Sequence, residues 1–202
     1  MSSRADLGVF LTRALRLDDA AVVRLRNRSD TQLTVWVNTG LDVLATRTVE
    51  AQVTPNEVIA AADHLLQGLR NTRTGLIDTG YSLDSAWRGA LPPETGYSHV
   101  DDIPAAALAD LANRGAEVAR EHSTPQGMPG SLLDQEVMTV SGDAGTVTVP
   151  MRAVFALTGM GFIPKQADAE MVRVRMRGGW VRIDARFGSV VLNRTKMPLF
   201  VR

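Results

Sequence analysis

The chain has 202 residues, of which 45% are hydrophobic and 22% charged, and its formal net charge at pH 7 is zero. These proportions are typical of a folded globular protein. The sequence has no cysteine, which excludes disulfide bonds, thiolate catalysis and cysteine-based metal sites. The N-terminus lacks the pattern of a signal peptide and no apolar run is long enough to span a membrane, so we expect a cytoplasmic protein.

The N-terminal quarter predicts one apolar helical segment followed by three strands. Residues 8–12 begin the apolar segment, and alternating or β-branched stretches follow at 22–26, 33–37 and 41–49. The middle of the chain predicts helices. Residues 54–57 (Thr-Pro-Asn-Glu) fit a capping box, and an apolar stripe at helical spacing continues to Leu69.

A second amphipathic helix is predicted from about Pro104 to about His122, with Asp101 and Asp102 capping its N-terminus. A short helix then begins at Ser131, and a hairpin is predicted over 137–149. A further helix, Met151 to about Gly159, precedes the strands at the C-terminal end.

The C-terminal strands carry the clearest pattern in the sequence. Apolar and arginine residues alternate over 172–177, a Gly178-Gly179 turn follows, and alternation resumes over 181–186 before a third strand at 189–194. The order of helix, strand, strand, strand therefore occurs at both ends. We interpret 5–49 and 151–196 as two α-β-β-β repeats, joined by a mostly helical segment, 50–150.

The predicted fold class is α+β, with antiparallel sheets from the two repeats and helices packed on one face. Residues 5–202 are expected to form one compact unit. The charges are uneven: 50–143 hold fourteen acidic residues against five arginines, and 171–202 hold eight basic residues against one acid. This asymmetry predicts either an anionic partner or contact between the acidic and basic segments, within one fold or across a homodimer.

Six residues of the C-terminal hairpin are predicted to project from one sheet face, because they share one parity along the strands. They are Arg173, Arg175, Arg177, Trp180, Arg182 and Arg186, here called the arginine face. A basic sheet surface with an aromatic residue can hold phosphates and stack bases. The same pattern also fits a solvent-exposed face or a homodimer contact, and a winged helix is a further alternative.

The segment 78–102 is rich in aromatic and charged residues for a predicted loop. Trp87, Arg88, Glu94, Tyr97 and His99 would suit a small polar ligand, and they would equally suit a loop pinned across a sheet. Histidine spacing predicts no metal site. The chain has no nucleophile elbow and no phosphate-binding loop, so we predict no catalytic residue and no cofactor.

Three stretches, 84–96, 131–137 and 182–190, resemble a family of uncharacterised actinobacterial proteins of about this length. The resemblance implies a cytosolic protein with two adjoining units, and it implies no activity. We therefore predict a non-enzymatic binding or protein-interaction module that forms a homodimer. The alternatives are a nucleic-acid-binding protein that uses the arginine face, and an enzyme or small-ligand binder with its site in 78–102.

Overall fold

The computed structural model describes residues 3–72, 76–122, 128–164 and 169–194. The chain divides into two compact units. Unit 1 comprises Met1–Ala90 with Gly159–Gly161, and unit 2 comprises Leu91–Thr158 with Phe162–Arg202. No helix among the described residues is both long and apolar enough to cross a membrane.

Unit 1 has two helices and four antiparallel strands. Its elements are α1 Ser3–Leu17, β1 Val22–Asn27, β2 Gln32–Asn38, β3 Leu44–Glu50, β4 Glu57–Ala61 and α2 Ala62–Asn71. The strands lie in the order β4-β1-β2-β3, with β1 between β4 and β2. A single 3-10 turn, Asp84–Ala86, follows later in the chain.

The two faces of the unit 1 sheet differ because side chains alternate along each strand. Val23 and Leu25 of β1 are buried, whereas Arg24 and Arg26 are only partly covered. The helices α1 and α2 contact each other, and they contact β3 and β4 respectively. The buried Phe10 of α1 and Leu65 of α2 contribute to this core.

Among its described residues, unit 2 has three helices, four antiparallel strands that pair side by side and a separate hairpin. Its elements are β5 Ser98–Pro104, α3 Ala105–His122, α4 Gly130–Asp134, β6 Glu136–Gly142, β7 Gly145–Pro150, α5 Met151–Gly159, β8 Met171–Arg177, β9 Trp180–Ala185 and β10 Gly188–Asn193. The sheet order is β10-β9-β8-β5, and β6 pairs with β7.

Close backbone approaches hold the layers of unit 2 together. Gly115 of α3 lies against the side chains of Met151 and Phe155 of α5, which leave no room for a Cβ atom at this position. Gly142, at the end of β6, lies directly against the carbonyl oxygen of Val100 in β5. The hairpin therefore packs on the edge strand β5.

The α+β prediction with antiparallel strands from both chain ends is confirmed. The predicted capping box at 54–57 is wrong, because Glu57 begins β4 and the helix begins at Ala62. The capping role predicted for Asp101 and Asp102 is also wrong, since both lie in β5. Pairing of β4 with β1 and of β5 with β8 outweighs the local helix signals.

Both predicted repeat segments contain one helix followed by three strands in the described residues. Their origin by duplication stays a prediction, and residues 195 and 196 of the second segment lie outside the described residues. The span 50–150 holds four strands besides its helices.

Candidate functional site

The first half of the 78–102 segment is pinned to the polar sheet face of unit 1. The amide of Leu83 donates a hydrogen bond to the carbonyl of Ile59 at 2.9 Å. The indole of Trp87 lies over the guanidinium of Arg24, whose Cζ is 5.8 Å from the ring centroid. Arg24 is itself paired with Glu57, and this hydrogen bond lowers the pKa of that carboxyl.

The second half of the segment packs on the polar face of unit 2 in a similar way. Tyr97 lies over Arg182, with 5.9 Å between Cζ and the ring centroid, and Arg177 donates to the carbonyl of Thr95. Burial raises the pKa of the Tyr97 hydroxyl. This hydroxyl has no hydrogen-bond partner among the described residues, so the ring is placed for packing.

Of the predicted ligand residues, Trp87 and Arg88 belong to unit 1, and Glu94, Tyr97 and His99 belong to unit 2. Arg88 and Glu94 are exposed. His99 Nε2 is 3.0 Å from Asp102 Oδ1, which also accepts from Arg173 Nε at 3.2 Å. The hydrogen bond from His99 is the main cause that lowers the pKa of Asp102.

The five arginines of the arginine face are only partly compensated, by three carboxylates of unit 2. Arg175 and Arg182 are paired with Asp184 at 3.4 and 2.7 Å. Arg173 is paired with Asp102, Arg177 with the Thr95 carbonyl, and Arg186 with Glu170. Strand register places Trp180 opposite Arg177, and its side chain is half-buried. Arg186 follows β9 in the turn towards β10.

A different basic surface lies between the two helices of unit 1, where a groove of about 570 Å³ opens. We call it the α1–α2 groove. Its aliphatic floor and basic rim are formed by Ala5, Gly8, Val9, Leu66, Leu69, Arg4, Arg13, Arg16 and Arg70, with Thr12. Val9 is 46% exposed although it is aliphatic. The groove thus combines apolar surface with positive charge.

Three of the rim arginines have no counterion within the described ranges. Arg4 donates to the carbonyl of Leu69 and thereby ties α1 to α2. Arg13, Arg16 and Arg70 make no ion pair or hydrogen bond with any part of the chain that the structure describes. The sequence alone does not indicate this arginine cluster, because Arg70 is far from the other two arginines in sequence. The spacing of Arg13 and Arg16, three residues apart on one helix, is the signal that could have found them.

No metal site can be built from the described residues, which contain no group of three or more His, Asp or Glu side chains suited to an ion. The α1–α2 groove can attract an anion or an acidic surface, whereas four of the five arginines of the arginine face are already paired with carboxylates.

The fold is similar to that of DNA polymerase sliding clamps. The clamp from Caulobacter crescentus matches with a TM-score of 0.59 and 15% identity, over 94% of this chain and 63% of that one. The Bacillus subtilis clamp matches with a TM-score of 0.58 and 10% identity, over 94% and 62%. The Pseudomonas aeruginosa clamp matches with a TM-score of 0.56 and 15% identity, over 98% and 65%. The chain therefore spans less than two thirds of each clamp chain.

Sequence comparison is consistent with an uncharacterised family. No curated protein matches the chain. Residues 1–89 match a domain of unknown function, DUF8010. Residues 92–197, more than half of the chain, match a second domain of unknown function, DUF8185, and the chain belongs to the DUF8185 family.

Proposed function

We propose that this protein is a non-enzymatic, DNA-associated interaction module of the cytoplasm, and that the α1–α2 groove contacts the phosphate backbone. The observation that carries the proposal is the set of three rim arginines, Arg13, Arg16 and Arg70, that lack a counterion among the described residues. The likeness to sliding clamps of DNA polymerases supports the same class of partner.

The chemistry of the groove fits phosphates better than bases. Arginine pairs with phosphate oxygens and releases condensed counterions, which favours binding to any sequence. The floor offers aliphatic side chains, and the Thr12 hydroxyl already donates to the Gly8 carbonyl at 2.8 Å. Few groups are therefore left to read base edges, so we expect binding that is independent of sequence.

The arginine face is the alternative DNA surface, and its contacts make it the weaker one. A phosphate at Arg175 or Arg182 would have to compete with Asp184, and one at Arg173 would have to compete with Asp102. Breaking those pairs costs part of the binding free energy. At Arg13, Arg16 and Arg70 no intramolecular pair among the described residues has to be broken.

The test is fluorescence anisotropy with labelled single- and double-stranded DNA of mixed sequence. The triple variant Arg13→Ala/Arg16→Ala/Arg70→Ala removes the rim charges, and Arg173→Ala/Arg175→Ala/Arg182→Ala removes as many charges from the arginine face. We expect the first variant to lose at least tenfold in affinity and the second to bind like the natural protein. Equal losses, or loss only in the second variant, would overturn the proposal.

We also propose that the protein forms a homodimer. The opposite charge balances of 50–143 and 171–202 support contacts between copies. Sedimentation at several protein concentrations tests this, with the expected mass rising from 21.8 kDa towards twice that value. The third hypothesis, a small-ligand site at Trp87, Arg88, Glu94, Tyr97 and His99, predicts that alanine substitutions there leave stability unchanged.

A further inference from the structure

Two large apolar side chains of unit 1 are almost completely exposed. Leu76 is 97% and Tyr81 is 92% accessible to solvent. They lie five residues apart on the segment 76–84, here called the 76–84 turn. Scattered apolar residues are ordinary on protein surfaces, but two such anchors on one short, well-fixed segment are typical of a docking surface.

The 76–84 turn is fixed by contacts with α2. The Gly80 amide donates to Asp78 Oδ1 at 2.8 Å, and Asp78 Oδ2 is 3.7 Å from His64 Nε2. Gly80, with a φ of 77°, packs against the His64 ring, where a side chain would not fit. The Asp78 backbone packs on Gly68 in the same way. Leu76 and Tyr81 are therefore held outward by a pre-organised backbone.

The charged residues within this turn are both acidic. Asp78 and Asp84 are both exposed, and Asp84 accepts from the Ser82 hydroxyl at 2.7 Å. An acidic surface repels DNA, so the turn is suited to a partner with apolar pockets and a basic rim. The α1–α2 groove has this chemistry, with its aliphatic floor and with Arg13, Arg16 and Arg70, which have no counterion among the described residues.

We infer that the 76–84 turn of one copy docks into the α1–α2 groove of a second copy. Leu76 and Tyr81 would cover the floor near Val9, and Asp78 and Asp84 would approach the rim arginines. The groove volume of about 570 Å³ is ample for two side chains of this size. The docking contact itself does not depend on the proposed function. Only the competition with DNA described below rests on it, because the proposed function assigns the same groove to DNA.

The turn and the groove of unit 1 use different residues of α2, so one copy can offer both surfaces at once. His64 and Gly68 of α2 hold the turn, whereas Leu66, Leu69 and Arg70 of the same helix line the groove. In a reciprocal contact, a two-fold axis would place each turn over the groove of the other copy. The result is a symmetric homodimer with a small interface, which is expected to be weak and to depend on salt.

This contact makes the dimer and the DNA complex mutually exclusive. The acidic turn occupies the arginines that would otherwise bind phosphates, so DNA and a second copy compete for one groove. DNA should then convert dimers into DNA-bound monomers, and removing the turn anchors should raise the apparent affinity for DNA.

The experiment is sedimentation velocity of the full chain at low salt over a range of concentrations, with and without a short DNA duplex. Leu76→Ser/Tyr81→Ser is compared with Met171→Ser, which changes an exposed apolar residue of unit 2 that is 52% accessible. We expect the natural protein and the Met171 variant to dimerise and the turn variant to remain monomeric. Added duplex should dissociate the natural dimer.

A monomeric natural protein at all concentrations, or a turn variant that dimerises equally well, would overturn the inference. The Arg13→Ala/Arg16→Ala/Arg70→Ala variant separates this result from the proposed function. If this variant loses dimerisation while no form of the protein binds DNA, the dimer contact stands and the DNA proposal fails. If it loses DNA binding while dimerisation is unchanged, the DNA proposal stands and the docking contact fails.

Discussion

The indole of Trp87 covers the guanidinium of Arg24, with Cζ 5.8 Å from the ring centroid, while the same guanidinium is paired with Glu57. One arginine thus joins an ion pair to a cation–π contact, and the two together attach the segment after α2 to the sheet of unit 1. An arginine shielded by an aromatic ring makes its ion pair in a less solvated environment than an exposed pair.

Replacing Trp87 with alanine should lower the stability of unit 1 by about 2 kcal/mol, because packing area and the cation–π contact are both lost. Thermal unfolding followed by circular dichroism measures the effect. Arg88→Ala is the control, since its side chain is exposed beside Trp87, and it should unfold like the natural protein. If Trp87→Ala is as stable as the control, the packing role assigned to Trp87 is wrong, and the ligand-site hypothesis is favoured instead.

Glu57 should make stability depend on pH. The hydrogen bond from Arg24 lowers the pKa of this carboxyl in the folded protein, with a smaller contribution from Arg26. Its stabilising contribution is therefore present above the pKa of the unfolded chain and is lost as the pH falls through the lowered folded value. Glu57→Gln should be less stable than the natural protein at neutral pH, and the difference should vanish in acid.

Urea unfolding at several pH values measures this dependence. Glu117→Gln, on the exposed side of α3, should follow the natural protein throughout. A stability difference between Glu57→Gln and the natural protein that stays constant into acid would contradict the assigned pairing.

Gly142→Ala should destabilise unit 2 by about 2–3 kcal/mol, because the added methyl group would overlap the carbonyl oxygen of Val100. Gly130→Ala is the matched control, since open space surrounds that position. It should change the free energy of unfolding by less than about 0.5 kcal/mol. Equal stability of the two variants would show that the β6–β7 hairpin does not press against β5.

Tyr97→Phe should leave unit 2 as stable as before or raise its stability by up to about 1 kcal/mol, because the buried hydroxyl has no partner among the described residues. Tyr97→Ala should destabilise, since the ring over Arg182 is removed. The comparison is made by chemical unfolding. If Tyr97→Phe lowers the free energy of unfolding by more than about 1 kcal/mol, the hydroxyl makes a hydrogen bond in the folded protein.

The strands at the C-terminal end were predictable because apolar and charged residues alternate along β8 and β9. Such alternation indicates a sheet with one buried face. The edge strands were not. Residues 54–57 have the local chemistry of a helix start, and only pairing with β1 makes Glu57 a strand residue. Asp101 and Asp102 precede a helix in sequence, yet pairing with β8 holds them in β5.

The candidate site was hidden for a related reason. The arginine face is conspicuous in sequence because its members alternate along one strand face, but two of its counterions, Asp102 and Glu170, lie outside the hairpin and are visible only in three dimensions. Arg13, Arg16 and Arg70 form no run, and packing of α1 against α2 is what brings them to one groove. Charge that lacks a partner is a property of the fold, and composition does not reveal it.

The most direct measurement of the central claim is the salt dependence of duplex DNA binding by the natural protein and by Arg13→Ala/Arg16→Ala/Arg70→Ala. If the three rim arginines contact phosphates, the slope of log K against log salt should become shallower by about 3 in the variant. The arginine-face variant should keep the natural slope. An unchanged slope in the groove variant, or no binding by the natural protein at low salt, would contradict a DNA-binding α1–α2 groove.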